Sequence, residues 1–280
     1  MAIVSDGQIA QNLPLQSAIF DFNGTLSDDE PLLFDIYLDL FNEILGYDLT
    51  RDDYFATLAG LSDPEIILQV LKRCKMAHHK KLRALLLGAK IERYCAEVAI
   101  TPRISSEAVS FVNAIAEIVP IALVTGAARV EVHAALQSAE IFDRFSTIVT
   151  AEDVRFGKPD PEGFLIAAKI MQTLFENSGL NIDRAKMAVF EDSNFGVLAA
   201  EKAGMVPVVV GDPTPKFATG RLAIPLLSIK SLATVLPLFS PPMAKEPKAP
   251  PSPNTGLSQI LAITSSDEPT LKGIRNDGPT

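Results

Sequence analysis

Five short apolar runs, at residues 17–22, 119–125, 145–150, 186–191 and 206–210, are rich in Ile and Val and are separated by segments of helical period. A strand with one wet face would alternate apolar and polar residues. These runs do not, so both of their faces should be buried. Helices between the runs supply the crossover connections that parallel strands require. The pattern predicts an α/β fold, a doubly wound parallel sheet of the Rossmann-like kind, in which ligands bind beyond the carboxyl ends of the strands. A chain of 280 residues that is 48% hydrophobic has enough material to bury such a core.

One long segment breaks the alternation. Residues 31–99 read as helix throughout, with helices expected over 33–48, 64–76 and 79–98, and the chain returns near Ile100-Thr101-Pro102-Arg103. The expected organisation is an N-terminal extension over 1–16, an α/β core from 17–30 and 100–238, an inserted all-α domain over 31–99, and a tail over 239–280. That tail is proline-rich and aperiodic, and so is expected to be disordered, with Ile260-Leu261-Ala262-Ile263 as a possible short docking segment. Helix starts are marked by Ser105-Ser106-Glu107, by Asp160-Pro161-Glu162 and by the capping-box spacing of Ser62 and Glu65.

Polar residues cluster where these runs end. Ala18-Ile19-Phe20 leads into Asp21-Phe22-Asn23-Gly24-Thr25-Leu26, and Leu123-Val124 into Thr125-Gly126. Gly157-Lys158-Pro159-Asp160-Pro161 follows the third run, and Val189-Phe190 leads into Glu191-Asp192-Ser193-Asn194-Phe195-Gly196. Phosphoryl transfer needs an in-line nucleophile, cations to neutralise spreading charge, and donors aimed at the equatorial oxygens. Asp21 is a candidate nucleophile, able to attack phosphorus and carry an aspartyl-phosphate. Thr125, with the N–H groups after it, can hold phosphate oxygens at a helix start expected near Ala127. Each piece also has a plain structural reading: a strand exit at Asp21, an N-cap at Thr125, a solvated loop lysine at Lys158, and a helix N-terminus at Glu191-Asp192-Ser193.

With these four segments in this order, the chain resembles the haloacid dehalogenase superfamily, in its phosphatase and phosphomutase branch, over about residues 17 to 212. The resemblance implies Asp21 as nucleophile and Mg²⁺ ligand, the Asn23 carbonyl and Asp192 as further ligands, and Glu191 nearby. It also implies Gly24, Thr125, Gly126 and Lys158 around the phosphate. Residues 31–99 would then be a helical cap whose segment Leu58-Ala59-Gly60-Leu61-Ser62-Asp63 meets substrate through Gly60 and Ser62. Two positions depart from the family pattern. Asn23 stands where phosphatases and mutases usually carry the Asp that protonates the leaving group and then activates water, and Asn can do neither. Leu33 stands where mutases tend to carry a histidine, which favours a hydrolase. Phosphonatases also lack that Asp but use a cap lysine, and Asp63 falls about where it would be; metal-free dehalogenases fit the Gly24-Thr25 and Glu191-Asp192 pairs less well than a magnesium enzyme does.

The expected function is Mg²⁺-dependent hydrolysis of small phosphorylated metabolites. The competing expectation is a binding or regulatory protein silenced at Asn23, unless Asp28 or a residue of the helical insert serves as the acid. A net charge of −9 and a pI near 4.9 argue against nucleic acid as a partner. No run approaches the ~20 apolar residues that span a bilayer, and the start of the chain lacks the features of a secretory signal, so a cytoplasmic protein is expected. Cys74 and Cys95 form no Cys-x-x-Cys pair and are read as reduced and structural. Lys72, Arg73, Lys75, His78, His79, Lys80, Lys81 and Arg83 are the one basic concentration, a solvated helix face or an electrostatic funnel, and Arg51 and Arg103 are lesser anion contacts.

Overall fold

The computed structural model of the chain describes residues 14–211 and 221–242. The N-terminal thirteen residues and the proline-rich stretch from 243 onward, including Ile260-Leu261-Ala262-Ile263, lie outside the described residues. Six parallel strands form one sheet in the order β3-β2-β1-β4-β5-β6. They are β1 (Ser17–Phe20), β2 (Ile121–Val124), β3 (Phe145–Val149), β4 (Met187–Glu191), β5 (Val206–Val210) and β6 (Leu222–Ile224). The strand order reverses direction between β1 and β4, so the crevice over their carboxyl ends is the switch point where such sheets bind ligands.

The apolar runs are two-sided for the reason expected. Ala18 and Phe20 of β1, with Leu123 and Phe190, face one buried layer, while Ile19, with Ala122, Val124 and Val189, faces the other. Phe20 stacks on Phe190 at 4.8 Å between ring centroids, and Phe111 meets both rings edge-on, so the middle of the sheet is pinned by aromatic packing at the base of the switch point. The sheet is flanked by α5 (Ser106–Ala116), α6 (Arg129–Ser138), α7 (Glu162–Asn177), α8 (Asn194–Lys202) and the short α9 (Ile229–Val235). Ser105 caps α5 as its sequence suggests, accepting from the Ala108 N–H at 3.1 Å. Two expected starts shift slightly. Helix α6 begins at Arg129 rather than near Ala127, and Pro161 is the cap of α7 rather than its first residue, with Asp160 accepting from the Glu162 N–H.

Between β1 and α5 the chain forms four helices, α1 (Glu30–Leu45), α2 (Arg51–Thr57), α3 (Asp63–Arg73) and α4 (Lys80–Ile100). Helix α1 stops three residues short of its expected end because Gly46 takes a left-handed conformation, φ 61°, that lets its N–H close the last turn. Helix α2 falls inside the stretch read as helical but between the three segments singled out there, and Thr50 caps it by accepting from the Asp53 N–H. The Ser62 and Glu65 pair opens α3: Glu65 reaches back to accept from the Ser62 N–H and hydroxyl at 3.1 and 2.6 Å. Helix α4 packs on α1 and α3 within the insert and on α6 of the sheet region. Among the described residues, no helix is long and apolar enough to cross a membrane.

Candidate active site

Strand β1 ends at Phe20, and the next residue is aimed straight into the crevice. Asp21 keeps its backbone in the sheet, its N–H bonding the Phe190 carbonyl at 3.0 Å, while its buried carboxylate bonds the Lys158 ammonium. Lys158 in turn bonds Glu191 at 2.6 Å, so one cation is shared between carboxylates from two adjacent strand ends. Glu191 is fixed by its second oxygen, which accepts from the Ser193 N–H at 2.7 Å and hydroxyl at 2.9 Å. Asp192 accepts from the Thr25 hydroxyl at 2.9 Å. Carboxylate oxygens of Asp21, Glu191 and Asp192 lie within 4.8 Å of one another.

Three acids and one lysine leave this pocket short of positive charge, and the acidities reflect it. Burial pushes Asp21 up to about 7, with Lys158 opposing and Glu191 adding to the rise. Burial likewise lifts Asp192 well above the carboxylate range, helped by the charges of Glu191 and Asp21. Burial disfavours the Lys158 ammonium, but Asp21 and Glu191 outweigh it and hold its proton more tightly than usual. A cluster of hard oxygen donors with uncompensated negative charge fits a small divalent cation such as Mg²⁺.

Glycines make this convergence possible at two positions. Gly24 turns the chain at φ 75°, and a Cβ there would run into the Asp192 carboxylate. A Cβ on Gly196, in the first turn of α8, would strike the Glu191 carboxylate. The peptide bond between Lys158 and Pro159 is cis.

A cavity of about 280 Å³ opens between the strand ends and the inserted helices. The sheet side supplies Asp21, Asn23, Thr125, Gly126, Lys158, Glu191 and Asp192, and the insert side supplies Gly60 and Ser62. Of the residues that the family resemblance placed around the metal and the phosphate, Gly24 alone stands back from the cavity, behind Asp192. Thr125 is buried, with its hydroxyl accepting from the Ala127 N–H at 3.0 Å. The insert approaches the sheet side closely here. A Cβ on Gly126 would lie 3.2 Å from the Ser62 Cα, and one on Gly60 would lie 3.2 Å from the Ser193 Cβ. Gly60, at φ 82°, therefore serves a tight turn and a close passage against Ser193.

The Asn23 side-chain amide is engaged by Asp29, to which it donates at 2.9 Å. Asp29 is fully buried and the same oxygen also accepts from the Tyr94 hydroxyl at 2.5 Å. Asp28, the alternative acid named from sequence, is exposed and does not line the cavity. None of the eight basic residues between 72 and 83 lines it either, nor do Arg51 and Arg103; the guanidinium of Arg51 lies over Phe34 and Phe55. Sequence reasoning missed Glu30, Tyr54 and Arg155, all of which line the cavity. Glu30 and Pro31 open α1 with an acid and a proline, both common at helix starts, and nothing in their spacing marks Glu30 as facing a site.

A family model described as haloacid dehalogenase-like hydrolase matches residues 18–210. The chain belongs to the haloacid dehalogenase-like hydrolase family. It is 30% identical over 198 residues to a validoxylamine A 7'-phosphate phosphatase of Streptomyces hygroscopicus subsp. limoneus, covering 67% of this chain and 82% of that one. It is 29% identical to a phosphorylated carbohydrates phosphatase of Thermotoga maritima, covering 68% and 82%. Among solved structures, a beta-phosphoglucomutase from Clostridium difficile superposes with a TM-score of 0.66 at 19% identity, covering 79% of this chain and 96% of that one, a likeness of fold. This chain is thus a hydrolase of that family with a six-stranded parallel α/β core.

Proposed function

We propose that the chain is a Mg²⁺-dependent phosphatase of small phosphorylated metabolites, working through an aspartyl-phosphate on Asp21. The observation that carries this reading is the convergence of Asp21, Glu191 and Asp192 at the switch point, with Lys158 bridging the first two. A binding module has no need of an attacking carboxylate held by an ammonium. Two relatives with phosphatase names, one for validoxylamine A 7'-phosphate and one for phosphorylated carbohydrates, support a small phosphate ester as substrate.

Asp21, Asp192 and the backbone carbonyl of Asn23 would hold Mg²⁺, with Glu191 fixing Lys158 beside them. The bound ion would supply positive charge against the oxygens of the transferring phosphoryl group. The remaining work falls to this chain's own groups. Lys158 and the Thr125 hydroxyl neutralise and orient the phosphate, and Asp21 attacks in line. The helices of residues 31–99 act as a cap, their Gly60 and Ser62 loop closing the cavity over the ester and keeping bulk water out. The rival reading, a site silenced for binding, draws on Asn23 being occupied with Asp29.

The test is Mg²⁺-dependent phosphate release from a panel of sugar, polyol and glycolate phosphates, with Asp21→Asn as the blank. Turnover that vanishes in Asp21→Asn is expected. Phosphate release of equal rate in both would sink the nucleophile assignment.

A further inference from the structure

The phosphatase reading leaves a gap at Asn23, and the cavity holds one acid suited to fill it. Seven carboxylates line the cavity: Asp21, Glu30, Asp63, Glu65, Asp160, Glu191 and Asp192. Asp21, Glu191 and Asp192 form the acidic cluster. Asp63 is bound on one oxygen by the Tyr37 hydroxyl and on the other by Lys90. Glu65 closes the capping box with Ser62, and Asp160 accepts from the Glu162 N–H at the start of α7. Glu30 has one hydrogen bond, accepted from the Tyr54 hydroxyl at 3.2 Å on one oxygen.

Its position is the second argument. Glu30 is the first residue of α1, where the chain leaves the sheet for the inserted helices, so it stands on the cavity's helical side beside Leu33 and Tyr54. A phosphate placed among Asp21, Thr125 and Lys158 turns its leaving group toward that side, because in-line attack puts nucleophile and leaving oxygen on opposite faces of phosphorus. We infer that Glu30 is the proton carrier of this site, the acid and base that Asn23 cannot be; this rests on the phosphatase reading.

The exchange balances. As the bond from Asp21 to phosphorus forms and the bond to the leaving oxygen breaks, the Glu30 carboxyl gives its proton to that oxygen. In the second half, the Glu30 carboxylate takes a proton from water, the water oxygen bonds to phosphorus, the bond to Asp21 breaks, and phosphate leaves with Glu30 protonated again. Burial pushes Glu30 up to about 7, with the charges of Asp29 and Asp63 adding and the Tyr54 hydroxyl and Lys90 opposing, so both forms are available near neutral pH.

The experiment compares the parent chain with Glu30→Gln and Glu30→Asp on two esters, glycerol phosphate with a poor leaving group and p-nitrophenyl phosphate with a good one, in Mg²⁺, with a thermal melt for each variant. For Glu30→Gln, turnover of glycerol phosphate should fall ~10²–10⁴-fold. With p-nitrophenyl phosphate, Glu30→Gln should release about one nitrophenolate per site in a burst and then stall, because phosphorylating Asp21 needs no acid there while hydrolysis still needs a base. Glu30→Asp should recover part of the loss. A variant that only disturbed packing would lower both esters together without a burst. Parent-like turnover of glycerol phosphate in Glu30→Gln would overturn the assignment and leave the phosphatase reading standing. A parent chain that itself bursts and stalls would overturn Glu30 while keeping Asp21 as nucleophile. A parent chain that releases nothing from either ester would overturn the phosphatase reading, and Glu30 with it.

Discussion

Replacing Lys90 with methionine should cost about 3–5 kcal/mol at pH 7.5 and roughly 2 kcal/mol less than that at pH 5. Lys90 lies on α4, 1% exposed, and donates to Asp63 of α3 at 2.7 Å and to Glu131 of α6 at 2.8 Å. One ammonium thus ties two inserted helices to the helix that follows Thr125 and Gly126. Methionine fills a similar volume but leaves both carboxylates without a cation. Asp63 retains the Tyr37 hydroxyl at 2.6 Å, whereas the second oxygen of Glu131 already has no partner. The orphaned Glu131 carboxylate can escape by taking a proton, which costs about 4 kcal/mol at pH 7.5 but about 0.7 kcal/mol at pH 5 for a carboxyl that ordinarily titrates at 4.5. The sign follows from the raised acidity constant. Burial pushes Glu131 up to about 7 from 4.5 even with Lys90 opposing, so the folded state holds this proton better than the unfolded one and stability falls as pH rises from 4.5 through 7. Without Lys90 that slope steepens. Urea denaturation followed by far-UV circular dichroism at both pH values should show the deficit shrinking by roughly 2 kcal/mol on acidification. Adding Glu131→Gln to Lys90→Met should recover part of the loss at pH 7.5. A deficit below about 1 kcal/mol at pH 7.5, or one that grows toward pH 5, would refute the reasoning.

Three further outcomes can be checked. Asn23→Asp sets a carboxylate against Asp29 in place of a donor at 2.9 Å, so it should lose about 1–3 kcal/mol in a thermal melt, and Asn23→Asp with Asp29→Asn, which exchanges donor and acceptor, should recover most of it; additive losses would contradict the pairing. Gly196→Ala drives a methyl into Glu191 and should displace it from Lys158, costing about 1–3 kcal/mol and most of the phosphatase turnover, whereas a neutral substitution would mean the helix start yields freely. Asp192→Asn should weaken Mg²⁺ binding measured by calorimetry by at least the ~10–100-fold typical of losing an outer-sphere partner; unchanged affinity would remove Asp192 from the metal site.

The sheet was legible because a strand buried on both faces leaves an unbroken apolar run, as β1, β2, β4 and β5 do, whereas β3, Phe-Ser-Thr-Ile-Val at the sheet edge, is mostly half-buried and left a run broken by Ser146 and Thr147. Strand β6 left none, since Leu222-Ala223-Ile224 is too short to stand out from its surroundings. Asp21, Thr125, Lys158, Glu191 and Asp192 were legible because each lies at or just beyond a run or in the loop after one, where the topology must bring them together. The Lys90 bridge was not. A lysine in a helix rich in lysine and arginine carries no mark, and its two partners lie 27 and 41 residues away on other elements.

The acids at 28, 29 and 30 explain both what sequence gave away and what it hid. Consecutive residues leaving a turn and entering a helix diverge in direction, and here the divergence sorts three chemically similar side chains into three environments. Asp28 meets solvent, Asp29 is sealed beneath Asn23 and Tyr94, and Glu30 faces the cavity. Sequence could register that Asn23 had lost a carboxylate, but not that a carboxylate six residues on had taken the complementary place under it. Once Asp29 occupies that place, an Asp at 23 would face a buried like charge, so Asn is the residue the local electrostatics favour. The proton-carrying role then has to move outward along the same stretch of chain. Asp29 is enclosed and Asp28 is outside, which leaves Glu30 as the member of the trio whose carboxyl reaches the reacting space.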